Sequence, residues 1–283
     1  MKGARILLVG CGDLGTGVGM QALAEGAEVW ALHRSERVLP AGFNSLQMDV
    51  TDSASLALLQ EMHFDYVLVT LTPAAFNDQA YQQVFVTGLD NLLNNLRLPI
   101  RRVLFVSSTS VYQQSEQEWV DETSATEPTS FSGQRLLEAE QLLTNSPYIG
   151  TSIRFAGIYG PGRRRLIDQV LAKEGSPESP ILYTNRIHRD DCVGFLWHIL
   201  QRDWQGQSVE PLYIGVDSAP VTMREIKRWL AQELGVDPNQ LKPGNSATRR
   251  NSKRCSNRLM LDSGYRLSYP TYKEGYRAVI ADL

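Results

Sequence analysis

Apolar residues in the first two-thirds of the chain fall into short unbroken runs separated by longer segments of mixed polarity. The runs are RILLVG (5–10), EVWALH (28–33), YVLVTL (66–71) and RVLFVSS (102–108). Continuous hydrophobicity of this length predicts strands of a parallel sheet, covered on both faces. The segments GVGMQALAEG (17–26), YQQVFVTGLDNLLNNL (81–96) and FSGQRLLEAEQLLT (131–144) carry helical patterns. In the last of these, leucines lie on one face and carboxylates on the other. Strand, helix, strand in this order predicts right-handed βαβ units and an α/β doubly wound parallel sheet. Beyond about residue 161 the pattern is less regular. PGRRR (161–165) and EGSPESP (174–180) read as loops, MREIKRWLAQELG (223–235) as an amphipathic helix, and GNSATRRNSKRCSNR (244–258) as a polar, basic surface loop.

Composition narrows the function classes. A chain of 283 residues can bury a large core, and its formal charge of −3 gives no electrostatic case for nucleic acid or an anionic membrane as partner. The opening MKGARILLVG has too short an apolar run for a signal peptide. No segment approaches the roughly 18 apolar residues of a membrane span. Cys11, Cys192 and Cys255 are odd in number and lack metal-ligand spacing, so reduced thiols, no metal site and a cytoplasmic location are expected.

The sharpest local signal is VGCGDLG, which sets Gly10, Gly12 and Gly15 in G-x-G-x-x-G spacing after the first strand and at the opening of a helix. Gly10 permits a tight turn, Gly12 lets the backbone approach a pyrophosphate, and Gly15 lets the helix close on the sheet. Asp13 and Leu14 lie within the same turn. The context predicts a Rossmann domain that binds a dinucleotide. An acidic residue about 20 positions after the glycines would select NAD through the ribose 2′-OH. Here His33 stands at that place, followed by Arg34. The lack of a carboxylate and the presence of a guanidinium favour NADP, with NAD as the alternative. Asp49 and Val50, after a third strand, are expected to flank the adenine. Leu71 and Thr72, at the end of the YVLVTL run, join the coenzyme-binding set. Asp52 reads as a helix N-cap.

At FVSSTSVY (105–112) the sequence resembles the NAD-dependent epimerase/dehydratase family of extended short-chain dehydrogenase/reductases. The resemblance continues through FVTGLDNLL (85–93), RFAGIYGPGR (154–163), RIHRDDCV (186–193) and GYRLSYPTYKEGYRAVI (264–280). It implies a nucleotide-binding domain over 1–160 and 186–215 and a small C-terminal substrate lobe over 161–185 and 216–283. It also implies a catalytic serine, tyrosine and lysine. Ser108 matches the serine, which would hydrogen-bond the substrate oxygen. Matching SFSGQRLLEAE to the family's catalytic helix places Phe131 at the tyrosine and Arg135 at the lysine. Phe131 has no exchangeable proton. Arg135 keeps the positive charge and would still reach the coenzyme ribose. Val9, Phe85 and Gln113 also depart from the family pattern, which marks an atypical branch. Tyr112, four residues after Ser108, is a candidate substitute acid; the competing reading is a packed aromatic with its hydroxyl satisfied.

Basic residues suggest how a substrate is held. Arg163 and Arg164 follow the GPG turn, Arg249 lies in the late basic segment, and His188 sits in RIHRDD. The resemblance makes these the substrate-binding set and a nucleotide-sugar the expected ligand, since arginine forks match phosphate oxygens. Two functions follow: an oxidoreductase or epimerase/dehydratase on a nucleotide-sugar or related carbonyl/alcohol, or an inactive NADP-binding sensor. A homodimer is the candidate assembly.

Overall fold

The computed structural model of the chain describes residues 1–243 and 252–283. Seven strands form one sheet: β1 (Arg5–Val9), β2 (Glu28–His33), β3 (Phe43–Gln47), β4 (Tyr66–Val69), β5 (Arg102–Ser108), β6 (Gly150–Phe155) and β7 (Leu212–Gly215). Their order is β7-β6-β5-β4-β1-β2-β3. The pairings of β1 with β2 and β4, of β2 with β3, and of β4 with β5 are parallel. Ile6, Leu7, Leu8 and Val9 are wholly buried, as are Tyr66 to Val69. Burial on both faces is why these strands read as unbroken apolar runs rather than alternating ones. The strand order reverses direction between β1 and β4. In open α/β sheets such a switch point is where ligands bind, outside the carboxyl ends of the strands.

The chain forms two compact units. The first comprises Met1–Val111, Thr126–Arg154 and Val193–Tyr213; the second comprises Tyr112–Ala125, Phe155–Cys192 and Ile214–Leu283. Tyr112–Ala125 and the strand Arg186–His188 thus group with the C-terminal part of the chain.

In the first unit, the helical pattern at 81–96 resolves into three pieces: an α-helical turn Asp78–Tyr81, a π-helical segment Gln82–Thr87 and the α-helix Gly88–Asn95. Asn77 caps the start, its side chain accepting from the Ala80 N–H at 2.8 Å. The helix Phe131–Asn145 is capped by Ser130, which accepts from the Gly133 N–H at 3.2 Å. One carboxylate on this helix does not face solvent. Glu140 is buried and receives Arg154 through Nε at 3.0 Å and Nη2 at 2.5 Å, together with the Ser107 hydroxyl at 2.5 Å. A buried carboxylate needs such partners, because unpaired it would cost several kcal/mol.

The second unit packs Tyr159, Ile167, Val170, Ile226, Leu230 and Tyr276 into its own core. Helices Met223–Glu233 and Tyr272–Ala281 each begin with a reciprocal capping box, Thr222 with Glu225 and Thr271 with Glu274. The expected surface loop at 244–258 is corrected for its described part. Arg254–Cys255 is a strand that pairs with Trp119–Val120, and Ser252, Lys253 and Cys255 are buried. Lys253 donates to the Tyr112 carbonyl at 2.8 Å. The Arg254 guanidinium lies over Trp119 and Tyr183. Long basic stems cover apolar surface while their heads find acceptors, so basic composition does not by itself mark exposure. No helix among the described residues is long and apolar enough to cross a membrane.

Candidate functional site

The turn after β1 has three glycines with three different reasons to be glycine. Gly10 has φ +92°, and a Cβ there would stand 2.8 Å from the Thr70 carbonyl oxygen and 3.1 Å from the Leu71 nitrogen. A Cβ on Gly15 would stand 2.5 Å from the Gly10 carbonyl oxygen. Gly12 meets nothing within 4 Å. Its bare Cα faces open space, which is what the close approach of a diphosphate requires. Gly12 is also the N-cap of the helix Asp13–Ala24, and no side chain caps it. First-turn N–H groups are therefore offered to an anion. Asp13 works against this: its carboxylate accepts from the Leu14 N–H at 3.0 Å and adds a negative charge to the helix start. On balance the turn fits the diphosphate of a dinucleotide.

At the end of β2 the two candidates separate. His33 is buried; its Nδ1 donates to the Ser35 carbonyl at 2.9 Å, and its Nε2 lies 2.8 Å from the Ser45 hydroxyl. The ring therefore ties β2 to β3 and has no nitrogen left for a coenzyme, which corrects that expectation. Arg34 is exposed. Arg37, not singled out in the sequence, lies near enough for its charge to act on Cys11 in the glycine turn. Burial, the larger influence, pushes the Cys11 thiol above its usual value, and Arg37 pulls the other way. A second arginine three residues after Arg34 was the signal available for it. Of the remaining coenzyme candidates, Asp49 accepts from the Thr51 N–H at 2.9 Å and hydroxyl at 2.8 Å, while Val50 is buried against Gly88. The backbone of Leu71 borders Gly10, and Thr72 is exposed beyond it. Asp52 caps the helix Ser53–Glu61, accepting from the Ala54 N–H.

β5 delivers Ser108, half-buried, whose hydroxyl oxygen accepts from the Ser110 N–H at 3.1 Å. The helix Phe131–Asn145 comes close to the residues after it. A Cβ on Gly133 would stand 2.5 Å from the Ser110 carbonyl oxygen. Phe131 opens that helix within an aromatic cluster, with ring centroids 5.0 Å from Phe76 and 5.3 Å from Tyr81. Arg135 departs from its expected task. Nε and Nη2 hold Asp78 in a fork at 2.7 and 3.1 Å, and Nη1 donates to both Glu138 oxygens at 2.9 Å. These bonds raise the Arg135 pKa and hold the Asp78 carboxyl below its ordinary value. The guanidinium thus serves two carboxylates rather than pointing freely at a ribose. Tyr112 is also corrected. It is wholly buried in the second unit, and its hydroxyl donates to the Asp121 carbonyl at 2.8 Å, so the packed-aromatic reading holds.

The second unit holds the expected substrate-binding residues. Arg163 and Arg164 are exposed and, with Arg165 and Glu174, line a cavity of about 520 Å³; Arg164 pairs with Asp168 at 3.5 Å. Arg249 lies outside the described residues. His188 does not face a ligand. Its ring is buried against Tyr159 and Tyr269, and Nδ1 accepts from the Asp190 N–H at 3.2 Å, capping the helix Arg189–Trp204. Desolvation lowers its pKa, which keeps the ring neutral.

A polar group that the sequence did not reveal surrounds His188. The strands Gly157–Tyr159 and Arg186–His188 pair in register, which puts Tyr159, Arg186 and His188 on one face. Asp217 joins them through its N–H to the Arg186 carbonyl at 2.7 Å. The Tyr159 hydroxyl, Arg186 Nε, His188 Nε2 and Asp217 Oδ2 are buried without a hydrogen-bond partner among the described residues. Burial pushes the Asp217 carboxyl up to about 8. No group of described residues could hold a metal ion.

The profile of the NAD dependent epimerase/dehydratase family matches residues 6–215. Among solved structures, an NAD-dependent epimerase/dehydratase-like protein from Methylobacillus flagellatus is 38% identical, covering 99% of this chain and 98% of its own, with a TM-score of 0.85. A UDP-glucose 4-epimerase from Thermus thermophilus in complex with NAD is 20% identical, covering 98% of each chain, with a TM-score of 0.79. A human epimerase family protein with NADPH is also 20% identical, covering 99% of this chain and 100% of its own, at a TM-score of 0.79. No curated protein matches the chain.

Proposed function

This chain belongs to the NAD-dependent epimerase/dehydratase family, and from that premise we propose that it is an NADP-using oxidoreductase or epimerase acting on a nucleotide-sugar or related carbonyl/alcohol substrate. The observation that carries the proposal is the glycine turn, where Gly12 opens onto free space at an uncapped helix start. A bound nicotinamide would accept or donate hydride. The protein's own residues would do the rest. Arg34 and Arg37 would pair with the 2′-phosphate, since His33 rather than a carboxylate stands where an acid would select the ribose 2′-OH. Val50 and Asp49 would border the adenine. Ser108 would hydrogen-bond the reacting oxygen. In the second unit, Arg163 and Arg164 would take the diphosphate of a nucleotide-sugar, a ligand type named for one Thermotoga maritima relative in complex with UDP-glucose.

A second reading is favoured by the helix start at 131. Phe131 cannot exchange a proton, and Arg135 is committed to Asp78 and Glu138. On that reading the protein is an NADP-binding sensor without turnover. Calorimetry with NADPH and NADH tests the shared premise. NADPH should bind more tightly, and Arg34→Ala should remove the difference; no binding of either nucleotide would end both readings. A panel of UDP- and dTDP-sugars then divides them. Turnover that survives Ser108→Ala at full rate would remove Ser108 from the site.

A further inference from the structure

The two altered positions of the catalytic helix are both met by one short segment. Asp78 forks onto Arg135, and Tyr81, three residues later, stands against Phe131. Residues three or four apart share a helix face, so the pair 78/81 lies along the pair 131/135. The Tyr81 ring is edge-on to Phe131, with centroids 5.3 Å apart and planes at 86°. It also meets Phe85 at 5.3 Å, and Phe85 in turn meets Phe105, three residues before Ser108. The aromatic contacts therefore run from the start of the catalytic helix to the strand that carries Ser108. The π-helical segment begins at Gln82, directly after Tyr81; such a bulge inserts a residue and re-aims its neighbours. Tyr81 is half-buried, and its hydroxyl makes no hydrogen bond among the described residues. Its ring is held on two sides while its oxygen is left uncommitted.

We propose that Tyr81, whose ring stands against Phe131, supplies the hydroxyl that position 131 lacks and acts as the proton-exchanging group of the site. The inference rests on the oxidoreductase reading above. In the reducing direction, hydride adds to the substrate carbonyl carbon and the C=O π pair moves onto oxygen. The Tyr81 O–H bond breaks and its proton goes to that oxygen, giving the alcohol. The phenolate left behind recovers a proton from solvent. Burial raises the Tyr81 pKa, which keeps the phenol protonated but makes it a weaker acid, so transfer requires the positive charge of a bound nicotinamide to draw its pKa down. The charged groups on its own segment and on the helix that carries Phe131 include Asp78, Arg135 and Glu138, and Arg135 pairs with both carboxylates.

Tyr81→Phe keeps the ring contacts and removes only the oxygen, so the fold and the calorimetric NADPH affinity should be unchanged. Phenol ionisation is then followed by near-ultraviolet difference spectra of wild type minus Tyr81→Phe, with and without NADP⁺. The expected result is a Tyr81 phenol whose titration moves to lower pH when the cationic nicotinamide is bound. If calorimetry shows NADP⁺ bound and this titration does not move, the Tyr81 proposal is overturned and the coenzyme reading stands. If no coenzyme binds, both fall together. Where a sugar nucleotide is turned over, Tyr81→Phe should lower kcat by about a hundredfold or more and abolish the basic limb of the pH profile. Adding Phe131→Tyr to it should restore part of the rate. Full kcat in Tyr81→Phe would overturn the proposal.

Discussion

Residues 10–15 and residues 131–135 lie in the same compact unit, yet only the first set keeps the residue types that its expected chemistry needs. The glycine turn works by what its residues lack. A side chain at Gly10 or Gly15 would run into backbone, and one at Gly12 would block an approach. At the helix start at 131 the resemblance implies a phenol oxygen and an amine, where this chain has Phe131 and Arg135. Phe131 packs against Phe76 and Tyr81, Arg135 keeps a positive charge, and the helix has its Ser130 cap and its buried Glu140–Arg154 pair. Packing constrains ring and stem, while chemistry depends on atoms that packing hardly senses.

The strongest way to break this comparison is through the scaffold of the catalytic helix. Glu140→Ala removes the buried carboxylate that accepts from both Arg154 and the Ser107 hydroxyl and should cost about 3–5 kcal/mol, read as a melting temperature lower by about 10 °C. A variant as stable as wild type would mean the helix is not anchored there. Next in size is a control placed in the other unit. Asp217 carries a proton in the folded state up to about pH 8, against an ordinary value of 3.8. Folded protein therefore binds more protons than unfolded across that window. Asp217's contribution to stability should be complete near pH 4, decline as pH rises, and be lost above 8. Thermal melts between pH 5 and 9 (outside the range where other carboxylates titrate) should show this decline, and Asp217→Asn should flatten it without altering NADPH affinity. A decline that persists in Asp217→Asn would assign it to another group.

The glycine turn itself should give smaller, more local effects. Gly10→Ala forces a Cβ onto the Thr70 carbonyl at positive φ, a strain of about 1–3 kcal/mol. NADPH affinity should fall by about tenfold to a hundredfold, with most of the fold's stability retained; undiminished affinity would mean the coenzyme does not sit on this turn. The smallest effect has the opposite sign. Asp13→Asn removes a negative charge from the helix start, a term of about 0.3–1 kcal/mol. Coenzyme affinity should rise by about two- to fivefold at low salt, the gain shrinking as salt is added. A fall in affinity would show that Asp13 contacts the coenzyme directly.

Much of the fold was legible because its causes are local or periodic. Strands buried on both faces must be apolar throughout, and β2 and β5 start and stop where their runs do. The turn after β1 announces itself because only glycine tolerates those contacts. Asp52 was readable as a cap because its partner lies two residues away. The misreadings share the opposite property. Glu140 looked solvated until Arg154 and Ser107, far off in sequence, turned out to enclose it. Lys253 and Arg254 looked like loop charges until a strand at Trp119–Val120 gave them a place. His33 looked like a coenzyme contact until Ser45 on the next strand took its ring nitrogen.

By itself the sequence determined the doubly wound sheet, the glycine turn after its first strand and a phenylalanine at position 131, because hydrophobic period, glycine spacing and residue identity are properties of the chain alone. Tertiary structure alone decided which polar side chains remain available. Tyr112 and His188 are spent inside the second unit, Arg135 is tied to Asp78, and Tyr81 is left with an uncommitted hydroxyl beside Phe131. A hydrogen bond is a statement about distance in space, and no spacing along the chain says which donor will find which acceptor.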